Sequence, residues 1–95
     1  MRETLESAGE ASSLTTICRL TGDEGGHWRV MVESWPESNG YLGRLVFARE
    51  LGALVVEQRV GPAVLTGDRH EDVVAAAHEL SERRMRDILH SLAAG

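Results

Sequence analysis

The fold of this chain is decided by residues 68–94, which read DRHEDVVAAAHELSERRMRDILHSLAA. Apolar residues recur there with the period of an α-helix when successive residues are placed about 100° apart. Asp68 and Glu71 have the spacing of a capping box, in which side chains bond the free amides of the first turn. The pattern therefore predicts one long amphipathic helix over residues 69–93. Its apolar side comprises Val73, Val74, Ala77, Leu80, Ser81, Met85, Ile88 and Leu92.

This predicted helix is longer than any strand that the rest of the chain can provide. About 25 residues give a helix of roughly 37 Å, whereas a strand of about eight residues reaches only about 26 Å. Unless it bends near Ser81, the helix is expected to extend beyond the sheet and to expose an apolar patch. We expect a second copy of the chain to cover this patch, and a curved sheet or a folded-back N-terminus are the alternatives. The predicted contact residues on the helix are Met85, Ile88, Leu89 and Leu92.

One charged residue, Arg84, falls near the apolar side of the helix. A charge in that position must either be paired or extend to the edge of the apolar surface. We expect the side chain to extend to the edge, and the sharper alternative is an ion pair with a carboxylate of a second subunit. Arg84 is therefore included among the predicted contact residues.

The residues before the helix have the composition of strands and turns. The Asn39–Gly40 pair is the strongest short signal of a β-hairpin. The order of elements predicts an α+β domain, in which an antiparallel meander of four strands, or five with residues 63–66, packs one face on the helix. Residues 1–13 are predicted to be a disordered polar tail, and residues 14–95 a single domain. The predicted strands are residues 14–20, 27–35, 41–49 and 54–60.

A two-residue turn at Asn39–Gly40 fixes the register of the hairpin. It places Val32 beside Phe47 and Trp35 beside Arg44, although a longer loop would shift this register by a residue or two. Pro36 is expected to end its strand because it lacks an amide donor. The face that meets the helix then carries Trp28, Val30, Val32, Leu45 and Phe47, and the other face carries Arg29, Met31, Glu33, Trp35, Arg44, Val46 and Ala48.

One helix cannot cover both faces of such a sheet. The second face is half apolar, and its residues Met31, Trp35 and Arg44 are a second predicted contact surface. Aromatic and arginine side chains interleaved on a sheet can stack single-stranded bases, but they are also enriched at protein interfaces. A cation–π pair of Trp35 and Arg44 without any partner is the third interpretation.

Charge and composition restrict the classes of partner. The net charge is −5 at pH 7, which makes nucleic acid an unfavoured partner because phosphate binding needs clustered cations. All ten basic residues are arginine, which suggests a bacterium with a GC-rich genome. No run approaches the roughly 20 apolar residues of a membrane span, and the acidic N-terminus does not resemble a secretory signal. We therefore expect a cytoplasmic protein without a membrane partner.

No pattern specifies a reaction, a metal or a cofactor. His78 and Glu82 are four residues apart on the predicted helix, and His27, His70 and His90 are further candidate ligands, but no closed ligand motif is present. Cys18 is the only cysteine, and we expect a small buried residue there rather than a reactive thiol. The glycine-rich residues 22–26 are acidic and lack the lysine of a phosphate loop. We predict no catalytic, cofactor-binding or metal-binding residues.

These observations predict a small protein-interaction or scaffold module that is not an enzyme and that forms a homodimer. A single-stranded nucleic-acid-binding module is the alternative, and an enzyme is less expected. The predicted interface residues are Met31, Trp35, Arg44, Arg84, Met85, Ile88, Leu89 and Leu92.

Overall fold

The computed structural model describes residues 12–21 and 26–92, which form an antiparallel sheet with two helices on one face. The predicted α+β class is confirmed, and a fifth short strand is present. Most of the N-terminal tail predicted over residues 1–13 lies outside the described residues, and Ser13 already belongs to the first strand. The strands are β1 (Ser13–Thr21), β2 (His27–Glu37), β3 (Gly40–Leu51), β4 (Leu54–Val60) and β5 (Leu65–Gly67), and the helices are α1 (His70–His78) and α2 (Glu82–Ser91).

Strands β1 to β4 lie side by side in sequence order, and each neighbouring pair is antiparallel. Strand β3 is long enough to pair with two strands along the same edge. Its second half pairs with β4, and residues 41–43 pair with β5. Within the described residues, β1 and β4 are therefore the outer strands of the meander.

The register of the β2–β3 hairpin differs from the predicted one by two residues. Ser38 and Asn39 form the turn, and Glu37 pairs with Gly40. Gly40 has a φ of 135°, so the residue that needs the freedom of glycine follows the turn instead of lying inside it. The predicted hairpin therefore forms, but its turn lies at Ser38–Asn39 and not at Asn39–Gly40.

This correction changes the pairs across the hairpin but not the faces of the sheet. Val32 pairs with Leu45 and Trp35 with Leu42, so the predicted neighbours Phe47 and Arg44 are wrong. Because side chains alternate between faces with a period of two, a shift of two residues returns each side chain to its predicted face.

Pro36 lies within β2 and does not end it. The strand continues to Glu37, and Pro36 pairs with Tyr41. Strand β1 reaches only as far as the pair of Ser13 with Ser34. Beyond Ser34, no residue in the described part of the chain pairs with this edge of β2, and the missing amide donor of a proline is tolerated at such an edge.

The prediction of one long helix is wrong, because the helical segment is interrupted over residues 79–81. Ser81 has an extended backbone, and its Oγ accepts a hydrogen bond from the Arg84 amide at 3.1 Å, as an N-cap does. Helices of nine and ten residues span about 13–15 Å, which is shorter than β2 or β3. The helical segment therefore does not extend beyond the sheet as expected. It bends near Ser81, which was the stated alternative.

The predicted cap at the start of the helical segment is also wrong. Arg69 is the N-cap residue of α1, and its side chain makes no capping hydrogen bond. Asp68 therefore lies one residue too early to cap the helix. Glu71 and Asp72 still lie in the first turn, where their charges suit the positive end of the helix dipole.

The core lies between the two helices and the face of the sheet that was predicted to be apolar. Gly43 allows the close approach of α1, because a Cβ atom at this position would lie 2.5 Å from Val73 Cγ1. The five predicted core residues of the sheet are all buried. The buried set is Leu20, Trp28, Val30, Val32, Leu45, Phe47, Val73, Ala77, Met85 and Leu89.

Candidate interaction surface

The four apolar residues selected on the predicted long helix belong to the chain's own core. Met85 and Leu89 are buried, and Ile88 and Leu92 are half-buried against the same cluster. The bend at Ser81 causes this difference, because it turns α2 back onto the sheet. The exposed apolar patch predicted at the end of the helix is therefore not formed.

Arg84 is exposed on α2. Its helical phase relative to Val73 and Ala77 is lost at the interruption, so it does not lie on the apolar side of a continuous helix. The expectation that its side chain extends to water agrees with this exposure. An ion pair of Arg84 with a second subunit remains a prediction.

The face of the sheet away from the helices, which we call the open face, has a small apolar centre. Met31, Val46 and Ala48 form this centre and are largely buried. Ion pairs flank it on the same face. Arg29 Nη2 lies 2.8 Å from Glu50 Oε2. A second ion pair joins Arg44 and Glu33. The apolar centre of the open face is thus less exposed than its sequence suggests, and ion-paired side chains lie on the same face.

Trp35 and Arg44 are brought together on the open face and form a cation–π pair. The guanidinium carbon of Arg44 lies 5.3 Å from the centroid of the Trp35 ring, within the range of a cation–π contact. Each residue also bonds a carboxylate. Trp35 Nε1 donates to Glu37 at 2.9 Å, and Arg44 Nε donates to Glu33 at 2.8 Å. The polar groups that would contact a nucleic acid are therefore engaged with acids of the same chain.

The exposed aliphatic surface that sequence reasoning missed lies at β4. Of the seven large aliphatic residues that are exposed in the described part of the chain, six lie between residues 51 and 64. The seventh is Leu14 on β1, at the opposite margin of the sheet. We call the surface formed by the six residues near β4 the β4 margin. It comprises Leu51, Leu54, Val55, Val56, Val60 and Val64.

A signal for this surface was present in the sequence. Residues 54–56 are Leu-Val-Val, and three consecutive aliphatic residues in a strand place apolar side chains on both faces. In an outer strand such a run has no neighbour on one side. The signal becomes informative only when the position of β4 in the sheet is known.

The helix-facing side of β4 is occupied by a pair of charged residues. The Arg59 guanidinium lies over the Trp28 ring, 4.6 Å from its centroid, and donates to the carbonyl of Leu89 at 3.3 Å. Its Nη2 also lies 2.7 Å from Glu57 Oε2. Arg59 Nε donates a hydrogen bond to Glu57 Oε2 at 2.8 Å. This hydrogen bond, with the charges of Arg59 and Arg49, holds the pKa of the Glu57 carboxyl below its usual value. The charged side chains of Glu57 and Arg59 are therefore held in place on the helix-facing side of β4.

A polar cluster around His70 links α1 to the sheet. Ser34 Oγ lies 2.5 Å from His70 Nδ1, and Thr15 Oγ1 lies 2.7 Å from His70 Nε2. Ser34 is fully buried. Both ring nitrogens and both hydroxyls are thus occupied with one another, which favours a structural role over nucleophilic catalysis.

The other candidate metal ligands are not brought together. The interruption at residues 79–81 separates His78 from Glu82, so the two no longer share one helix. His27 bonds Glu50 at 3.2 Å instead. Over residues 12–21 and 26–92, no three His, Cys, Asp or Glu side chains form a group that could hold a metal ion.

Cys18 is half-buried, and its thiol donates to Met85 Sδ at 3.6 Å. Burial raises the pKa of the Cys18 thiol, and the negative charge of Glu82 raises it further. Since the thiolate is the nucleophilic form, this environment favours an unreactive cysteine.

A cleft of about 450 Å³ lies between the β2–β3 turn and β5. Its described lining includes the carboxylates of Glu37 and Asp68 but no histidine, cysteine or basic residue. Glu37 already accepts the hydrogen bond of Trp35. The described lining of the cleft therefore pairs no histidine or cysteine with these carboxylates.

Comparisons with known proteins identify no relative: no family model, curated protein or solved structure matches this chain. Neither described helix has the length and apolar character that crossing a membrane requires.

Proposed function

We propose that this chain is a non-enzymatic protein-interaction module that associates with a second copy of itself through the β4 margin. The observation that supports this proposal is the concentration of exposed aliphatic side chains on an outer strand. Leu54 is 70% exposed and Val55 is 57% exposed. Contiguous exposed apolar residues mark interaction sites in soluble proteins, and an outer strand adds a row of unpaired backbone groups.

Within the described residues, strand β4 has only part of the usual protection of an outer strand. Such strands are commonly blocked by proline, by lysine, by a β-bulge or by a covering segment, and β4 has a bulge at Val56. The seven residues of β4, LVVEQRV, include neither proline nor lysine. Its two charged residues, Glu57 and Arg59, pair with each other, so their charges do not repel an incoming strand as isolated like charges would.

The polar groups that an enzyme would use support a non-enzymatic role. His70 is held between Thr15 and Ser34, and the raised pKa of Cys18 disfavours its thiolate. The nucleic-acid alternative has less support than protein binding, because the net charge is −5 and Trp35 and Arg44 both bond carboxylates.

Sedimentation velocity and light scattering of the full chain, from submicromolar to hundreds of micromolar concentration, test the proposal. We expect the mass to rise with concentration from 10.4 kDa to twice that value. Two single substitutions provide a matched comparison, because Val55 on β4 is 57% exposed and Leu14 on β1 is 58% exposed. Val55→Glu should give a monomer, and Leu14→Glu should leave the association unchanged. A 10.4 kDa species at every concentration would overturn the proposal.

A further inference from the structure

We propose that the two copies join by antiparallel pairing of β4 with β4 of the second copy, with Gln58 on the twofold axis. This inference rests on the proposed self-association and specifies its geometry. A twofold interface brings the same surface of each copy together, so the surface must be complementary to itself. Hydrogen-bond direction and charge on β4 both select one register.

The hydrogen-bond direction follows from the pairing of β4 with β3. The Gly61 amide donates to the Leu45 carbonyl at 2.9 Å, and the register continues regularly through the pairs of Val60 with Val46 and Gln58 with Ala48. In an antiparallel ladder, alternate residues direct their N–H and C=O groups toward the same neighbour. The backbone N–H and C=O groups of Glu57 and Arg59, like those of Gly61, therefore point toward β3. The backbone groups of Gln58 and Val60 point away from the sheet.

This alternation limits the registers that a second β4 can adopt. In an antiparallel pair, residues with outward backbone groups must lie opposite one another, so a twofold axis must pass through a residue position. An axis at Glu57 would oppose two carboxylates, and an axis at Arg59 would oppose two guanidinium groups. An axis at Val56 or Val60 would leave both kinds of charge opposite uncharged residues.

Only an axis at Gln58 places opposite charges face to face. Glu57 of each copy then lies opposite Arg59 of the partner subunit, and directly opposed unlike charges stabilise a pair of strands. The two Gln58 residues exchange both backbone hydrogen bonds. Val60 lies on the same face as Gln58 and comes opposite Val56 of the partner subunit, so the end of the pairing brings together two exposed aliphatic residues.

The regular part of the pairing is short and has a defined end. Val56 is the extra residue of a β-bulge, because Glu57 pairs with Arg49 and Val55 with Glu50. A bulge bends its strand, so regular pairing about Gln58 covers residues 57–59 of each copy and ends at the pair of Val56 with Val60. The joined sheets would form one continuous sheet across the axis.

A charge placed at residue 58 tests this register directly. Gln58 is exposed, so charged substitutions there should preserve the fold, which far-UV circular dichroism would verify. Gln58→Lys and Gln58→Glu each place like charges opposite each other, and each should raise the dissociation constant of the homodimer about tenfold or more. An equimolar mixture of the two variants should restore association as a heterodimer. Leu14→Lys, on the opposite outer strand, is the matched control and should have no effect.

The outcomes separate this inference from the proposed function. A chain that stays at 10.4 kDa under all conditions would overturn both. A dimer that is unaffected by Gln58→Lys and Gln58→Glu, or that is disrupted by Leu14→Lys instead, would overturn the β4 register and leave self-association standing. Weakening by both variants without rescue in the mixture would place Gln58 at the interface but away from the axis, which also overturns the register.

Discussion

Glu50 shows how charged side chains on the open face are stabilised. Its carboxylate accepts a hydrogen bond from Arg29 Nε at 2.9 Å and contacts His27 Nε2 at 3.2 Å. Desolvation by burial acts to raise the pKa of Glu50, but the hydrogen bond and charge of Arg29, with contributions from His27 and Arg19, outweigh it and lower that pKa. The folded state therefore favours the ionised form of Glu50 more than the unfolded chain does.

This difference predicts a loss of stability in acid. Because the folded-state pKa of Glu50 is lowered, its contribution to the free energy of unfolding is complete above the ordinary glutamate pKa of about 4.3. The contribution is lost as the pH falls through the lower folded-state pKa. We expect Glu50→Gln to lose less stability than the native sequence between neutral pH and this acidic range, as measured by urea unfolding at each pH.

Arg29→Gln is the complementary variant. It removes the donor that lowers the Glu50 pKa, so its acid response should also be flatter than that of the native sequence. An unchanged acid response in Glu50→Gln would show that this carboxylate does not link folding to pH.

At the scale of elements, the helical interruption shows what a periodic pattern can and cannot predict. Val73 and Ala77 are four residues apart, and so are Met85 and Leu89, so each half shows the helical period by itself. The same period also predicts a helix across residues 79–81, where the helical segment is interrupted. Ser81 was the available signal, since serine favours the N-cap position over the interior of a helix.

The capping role of Ser81 leads to a prediction about the start of α2. Ser81→Ala removes the oxygen that accepts the Arg84 amide, and we expect the free energy of unfolding to fall by about 1 kcal/mol. Urea unfolding measures this change, and Ser81→Asp is the control because aspartate also caps helices. If Ser81→Ala were as stable as the native sequence, the hydrogen bond of Ser81 would not define the start of α2.

The faces of the sheet could be predicted from sequence, whereas the exposed margin could not. Each strand alternates locally, so Val30 and Phe47 could be assigned to the core even though the predicted register was wrong. The exposure of Val55 depends on which strand lies outermost and on where the helices pack. Those are properties of the tertiary arrangement, and the aliphatic run of residues 54–56 does not report them by itself.

At the scale of the whole molecule, the arrangement leaves β4 at the margin of a small domain. Helix α1 packs on β1, β2, β3 and β5, and the principal contacts of β4 are with β3. A domain of this size buries only about 60–65% of the surface of its unfolded chain, so its stability margin is thin. Covering the β4 margin with a second copy would therefore add to the stability of the fold as well as create an interface.

Coupled folding and association predicts a melting temperature that depends on protein concentration. Mass action stabilises the folded dimer by about 0.7 kcal/mol per chain for each tenfold rise in concentration, which for a domain of this size corresponds to about 3–6 °C in Tm. Differential scanning calorimetry of the full chain across three decades of concentration measures this slope. Gln58→Lys should melt below the native sequence at each concentration at which the native chain is dimeric, because its opposed charges weaken the dimer while its side chain lies outside the core. A flat slope for the native sequence would mean that the chain reaches its full stability alone, with Val56 and Val60 left exposed to water.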